Sequence, residues 1–148
     1  LEPLASCPMC DGDLSAGIAA AVVGSGVHAV MGTGGAPEGV LTAAAMRCLG
    51  GEIQARMWPK DEAQRERLVP FGLEDTSKVL TARELAPQPM YVLATGVTDG
   101  ELLNGVRFTP GIVHTQSLVM RSRSGTVRLI DAQHRLDKIS SFSSIDYN

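Results

Sequence analysis

The chain has 148 residues, of which 44% are hydrophobic, 20% charged and 4% aromatic, with a formal net charge of -3. That length suits one domain with a sizeable core, and the balance argues against an intrinsically disordered chain. It gives no global attraction to nucleic acid or anionic lipid, few rings on which bases could stack, and no apolar run of about 18 residues to span a membrane, so neither nucleic acid nor membrane is an expected partner.

Residues 1–9 carry no basic n-region or long apolar stretch, so no secretory signal is expected, and Leu1 in place of Met suggests a fragment or a processed product. An odd count of 3 Cys argues against a disulfide framework and makes the cytoplasm or another reducing compartment the expected setting. Residues 13–23 read as a helix capped by Asp13 or Ser15, with small apolar residues for packing and Gly24 and Gly26 as stops. Residues 27–31 read as a buried strand, in which His28 is expected to pack in the core. A Gly-rich loop follows, then a helix with Pro37 and Glu38 in its first turn, ending at Gly50-Gly51.

Residues 52–58 alternate like a strand, with Met57 and Trp58 expected in the core, and residues 60–69 read as a charged, exposed helix. Val79-Leu80 reads as a short strand and residues 81–85 as a brief helix with a capping box. Residues 90–94 read as a buried strand, followed by a second Gly-rich loop over residues 95–100. Strands over 115–121 and 126–131, linked by Ser122-Arg123-Ser124-Gly125, form a terminal hairpin before a polar tail over 140–148. Helices and strands alternate and a hairpin closes the chain, which predicts an α/β fold with a mixed sheet flanked by helices.

Five constellations could carry chemistry. Asp11-Gly12-Asp13, entering a helix, could converge on a cation or a polyol, or simply supply a cap and a turn. The loop from Gly32 to Gly39 could bind an anion through backbone N–H groups at a helix N-terminus. It is neither a Walker A nor a G-x-G-x-x-G loop. Glu38 there would repel phosphate unless a metal lay between them, and equally it suits the helix dipole. Asp99 and Glu101 could be ligands, but a capping role for Thr98 or Asp99 is the simpler expectation. Arg121, Arg123 and Arg128, with Arg135 and Lys138 beyond, could hold sugar phosphates or guard a strand edge; the guarding role is favoured for Arg123 and Arg121 is open. Cys7-Pro8-Met9-Cys10 has redox or zinc spacing, yet no second pair completes a zinc site.

Several of these segments together resemble the class II fructose-1,6-bisphosphatases. They are Asp11-Gly12-Asp13-Leu14-Ser15-Ala16-Gly17, Met31-Gly32-Thr33-Gly34-Gly35-Ala36-Pro37-Glu38-Gly39-Val40 and Ala94-Thr95-Gly96-Val97-Thr98-Asp99-Gly100-Glu101-Leu102-Leu103. Arg47-Cys48-Leu49-Gly50-Gly51 and the segment from Ser117 to Thr126 fit too, and Trp58-Pro59-Lys60-Asp61 looks closest to actinobacterial members. The resemblance implies the layered α/β fold of the lithium-sensitive sugar phosphatases, with residues 10–139 as the C-terminal half of the domain and 1–9 as an atypical leader. It implies Mg²⁺ or Mn²⁺ as cofactor and hydrolysis of the 1-phosphate of fructose 1,6-bisphosphate to fructose 6-phosphate and phosphate, a step of gluconeogenesis.

By the same resemblance Asp11, Gly12, Asp13 and Gly35 contact substrate and Glu38 is a metal ligand. Residues 13–17 also match the D-x-x-A-G signature of the wider inositol-monophosphatase-like superfamily. Sedoheptulose 1,7-bisphosphate is a further candidate substrate, and a homo-oligomer is allowed. The family's N-terminal half, which supplies most metal ligands and the water-activating group, has no counterpart here, so no catalytic residue is nominated. A binding module without turnover, or a Cys7/Cys10 redox or zinc module, are the competing readings.

Overall fold

The computed structural model describes residues 13–22, 24–100 and 102–139, without the side chain of Asp13. Helix α1 (Asp13–Ala21) is built from small apolar residues, of which Ala16 and Ile18 are fully buried. Helix α2 (Ala36–Leu49) carries a matching run, Ala43-Ala44-Ala45-Met46, with Cys48 one turn beyond. It ends where Gly50 takes a left-handed φ of 78° and its N–H bonds Met46 C=O, a conformation that favours glycine.

Two short strands, β1 (Gln54–Ala55) and β2 (Leu80–Thr81), pair antiparallel. Between them lie α3 (Glu62–Glu66), capped by Asp61 Oδ1 accepting from Gln64 N–H at 2.8 Å, and a 3₁₀ turn over Val69–Phe71. Helix α4 (Ala82–Leu85) follows β2, with the expected capping box of Thr81 and Glu84 present in full. Glu84 also meets Lys78 Nζ at 3.0 Å. Bonds from the Thr81 backbone, then from Lys78 and the Thr81 hydroxyl, hold the Glu84 carboxyl down at about 2. A carboxyl depressed on folding stabilises the fold above its unfolded pKa and loses that effect as pH falls through the folded value. The expected result is that Glu84→Gln flattens the loss of stability between about pH 4.5 and pH 2, read by urea unfolding at several pH values. An acid limb identical to that of the parent chain would contradict it.

The main sheet is an antiparallel one. Strand β5 (Ile112–Arg121) pairs along its whole length with β6 (Thr126–Arg135). Its other edge is shared by β3 (Tyr91–Thr95), opposite residues 117–121, and β4 (Arg107–Thr109), opposite 112–114. The hairpin loop is the expected 122–125, with Gly125 at a φ of 59°. One sheet face, through Val92, Ala94, Leu118 and Met120, packs on Ile18, Ala45 and Cys48 of the helices. A second cluster joins Met46 and the Ala43–Ala44 pair to Ala82 and Ala86. Arg47 ties the same region together, donating to the carbonyls of Ala86 and Gln88. A four-residue helix, α5 (Leu136–Ile139), follows β6.

The α/β class, the flanking helices and the terminal hairpin agree with the sequence reading. The sheet pairings differ, because all of them among the described residues are antiparallel rather than mixed. Residues 27–31 form no strand; no described strand lies beside them, so the apolar run stays irregular and His28 is exposed. Trp58 is 76% exposed rather than in the core, because only Gln54 and Ala55 of the 52–58 segment find a partner strand. Strand β3 is half-buried, since only Val92 and Ala94 face the helices while Tyr91 and Leu93 point the other way. The 60–69 helix shortens to α3 plus the 3₁₀ turn, and β4 and α5 were not foreseen. The tail 140–148 and the leader 1–9 lie outside the described residues.

Candidate active site at two helix N-termini

The two long helices run side by side in the same direction. A Cβ at Gly17 of α1 would meet Thr42 Cγ2 of α2 at 2.6 Å, tighter than real contacts allow. A Cβ at Gly51, just past α2, would meet Ala21 Cβ at 2.9 Å, and Ala21 closes α1. Start is therefore beside start and end beside end. Asp13 precedes Gly17 by four residues, and Glu38 precedes Thr42 by four, so each sits about one helical turn further towards the N-terminus. Asp13 and the G-G-A-P-E segment are thus brought to one end of a helix pair. Gly17 of the D-x-x-A-G pattern serves that alignment by being small.

Two aligned N-termini double the exposed N–H groups and the positive dipole ends available to an anion. Gly35 is the N-cap of α2, with φ -71° and ψ 152°, and its carbonyl accepts from Gly39 N–H at 3.1 Å. No side chain caps this helix. Instead, the Glu38 carboxylate folds back over Gly35, where a Cβ would collide with Glu38 Oε2. A methyl at 35 would push this flexible carboxylate off Gly35, while the backbone there suits any residue. Thr42 Oγ1 donates to Glu38 C=O at 2.8 Å and steadies the first turn. Residues 28–38 are all exposed, and a Cβ at Gly32 or Gly39 would meet nothing within 4 Å, so the loop borders open space.

Gly17→Ala tests the alignment. Forcing a methyl against Thr42 is expected to cost about 1–3 kcal/mol, measured by denaturant unfolding. A neutral or stabilising result would mean that the helices do not approach at this point.

The second Gly-rich loop has a structural task. Asp99 Oδ1 accepts from Gly105 N–H at 2.8 Å, and Val106 N–H bonds Val97 C=O at 3.1 Å, closing the segment on itself. No helix starts at residue 99 or 100, so neither Thr98 nor Asp99 is a helix cap. Asp99 is committed to the loop backbone, and Glu101 lies outside the described residues. Leu102 and Leu103 carry this loop into the cluster that also receives Leu14 from the first turn of α1.

Of the basic residues, Arg123 lies in the hairpin loop and Arg128 is exposed on β6. Arg121 stacks over the Tyr91 ring, 5.5 Å from its centroid, with its Nε buried and without a hydrogen-bond partner among the described residues. Arg135 pairs with Asp137 at 2.8 Å. Cys48 is a buried thiol whose pKa is raised by burial, so it is a packing residue rather than a nucleophile. Cys7, Cys10, Asp11 and Gly12 lie outside the described residues.

Among the described residues no three His, Cys, Asp or Glu side chains gather to hold a metal ion. Glu38 offers one exposed carboxylate with the hard oxygen chemistry that Mg²⁺ or Mn²⁺ prefers, which is part of a site and not a whole one.

A family model described as bacterial fructose-1,6-bisphosphatase, glpX-encoded, matches residues 7–134. The chain belongs to this family. A protein of a Synechococcus strain named D-fructose 1,6-bisphosphatase class 2/sedoheptulose 1,7-bisphosphatase is 44% identical over 140 residues, covering 86% of this chain and 40% of that protein. A protein of the same name from Gloeobacter violaceus is 43% identical over the same span and with the same coverage. The chain therefore spans about 40% of the length of the curated relatives it matches. The matched stretch contains both helix N-termini.

Proposed function

We propose that this chain forms the sugar-phosphate-binding part of a class II fructose-1,6-bisphosphatase, acting on the 1-phosphate of fructose 1,6-bisphosphate. The carrying observation is the parallel alignment of α1 and α2, with Asp13 and Glu38 at their adjoining starts. Asp11 and Asp13 would accept hydrogen bonds from sugar hydroxyls, which carboxylates do well. The N–H groups of Gly35 and the first turn of α2 would face a phosphate oxygen. Glu38 would give one oxygen to a divalent cation, which when bound with ligands from outside this chain neutralises phosphate charge and lowers the pKa of water. In this reading the residues at the two helix starts bind and orient the substrate.

Sedoheptulose 1,7-bisphosphate fits the same reading, since the two sugars differ away from the scissile phosphate and the relatives' names include both activities. The same reading proposes the cytoplasm as the setting and gluconeogenesis as the pathway. The deciding experiment joins this chain to the unmatched portion of the Gloeobacter relative and measures phosphate release from fructose 1,6-bisphosphate with Mn²⁺ or Mg²⁺. Release that needs both portions and the metal supports the reading. Binding of the sugar bisphosphate without any release under these conditions would favour a binding module instead.

A further inference from the structure

Thr42 is a poor choice for a helix interior by propensity alone. It sits between Leu41 and Ala43-Ala44-Ala45 of α2, where its hydroxyl competes for backbone partners. The structure gives each branch of its side chain a task. Oγ1 donates to Glu38 C=O at 2.8 Å, one turn back, beside the Thr42 N–H that the helix already directs to that carbonyl. Cγ2 points to the other helix. A Cβ built on Gly17 would lie 2.6 Å from it, so the methyl rests against the bare Cα of Gly17. One χ1 setting satisfies both contacts, and branching at Cβ stiffens the side chain in it. Serine offers only the hydroxyl and valine only the methyl groups; threonine carries both kinds on one Cβ.

Thr42 thus touches both halves of the candidate site. Gly17 lies one turn after Asp13, and Glu38 lies one turn before Thr42. No side chain caps α2, and Glu38 is exposed, so the side-chain hold on this first turn comes from inside the helix. We propose that Thr42 is a positioning residue of the phosphatase site. Its methyl sets the spacing of the two helix starts on Gly17. Its hydroxyl fixes the turn that carries Glu38, so the carboxylate is held ready for a divalent cation beside the start of α1. The proposal rests on the reading of Glu38 as a metal ligand, and adds the group that keeps that ligand in place. Groups one step behind a ligand typically change metal affinity about 10–100-fold when they are lost.

Mn²⁺ binding to the joined, family-length protein, followed by electron paramagnetic resonance without substrate, tests it. Thr42→Val keeps the methyl on Gly17 and removes the hydroxyl; Thr42→Ser does the reverse. Thr42→Val is expected to weaken Mn²⁺ binding at least ~10-fold, and Thr42→Ser to stay within about 3-fold of the parent. Denaturant midpoints are expected to run the other way, lower in Thr42→Ser, which leaves a gap between the helices. A residue that only packs the helices would give both measurements the same order. In a Glu38→Ala background Thr42→Val is expected to cost no further affinity, because the hydroxyl acts through Glu38. Parent-like Mn²⁺ affinity in Thr42→Val would overturn the proposal and leave the reading of Glu38 standing. An equal loss in Thr42→Ser, or the same loss from Thr42→Val with and without Glu38, would also overturn it. Unchanged Mn²⁺ affinity in Glu38→Ala would overturn the reading of Glu38 itself, and the proposal with it.

Discussion

Replacing Glu38 with Ala in the joined, family-length protein is expected to lower phosphate release from fructose 1,6-bisphosphate by at least ~100-fold, the scale seen when a charge-stabilising group is lost from a transition state. The effect follows from the position of the carboxylate. It lies over Gly35 at the start of α2, beside the start of α1, in a loop bordered by open space. Nothing in the described fold uses that carboxylate as a cap or an ion-pair partner, so its loss is expected to leave the free energy of unfolding within about 0.5 kcal/mol of the parent. Glu38→Asp would separate charge from reach, and a partial recovery with raised metal concentration is expected. Full activity in Glu38→Ala at all metal concentrations would show that the residue is only a dipole-compatible first-turn carboxylate.

The second large effect is on stability. Gly96 is buried, and a Cβ there would press on the backbone carbonyl of Asn104, with Leu103 Cβ at 3.1 Å. Backbone cannot move aside as a side chain can. Gly96→Ala is therefore expected to cost about 3 kcal/mol or more, at or above the upper end for overpacked sites. Gly105, whose Cβ would sit 2.6 Å from the Thr98 carbonyl carbon and 2.7 Å from Asp99 N, is expected to behave alike. Denaturant unfolding reads both. A cost under about 1 kcal/mol at Gly96 would mean that the 95–106 segment is looser than the hydrogen bonds of Asp99 and Val97 imply. The glycines of the two rich loops thus have different reasons. Those near α2 leave room around a carboxylate, and those after β3 let two stretches of backbone touch.

Local chemistry was legible in the sequence wherever the cause is local. The Thr81/Glu84 capping box, the Gly50 stop and the 122–125 hairpin follow from side chains a few residues apart, and all three are present. Burial was not legible where it depends on a neighbour. The apolar runs at 27–31 and at Leu93 read as buried strands, because their composition is that of interior strands, yet no described element lies against them. The misplacement of Trp58 has the same origin. In the candidate site, the motif order named Asp13, Gly35 and Glu38, but spacing alone could not bring Asp13 to Glu38. The signal that does so was in the sequence as Gly17, Thr42 and Gly51, three small residues whose meaning appears only once the helices are packed.

The central claim is that the adjoining starts of α1 and α2 together receive the phosphate and sugar of the substrate. Its most direct test is an amide NMR titration of the joined protein with fructose 1,6-bisphosphate in the presence of Mg²⁺. The account predicts that the largest shifts fall on residues 11–15 and 35–39, saturate together, and vanish jointly in Gly35→Ala, whose Cβ collides with the Glu38 carboxylate. Shifts centred instead on Arg121, Arg123 and Arg128, with the two helix starts unmoved, would contradict it.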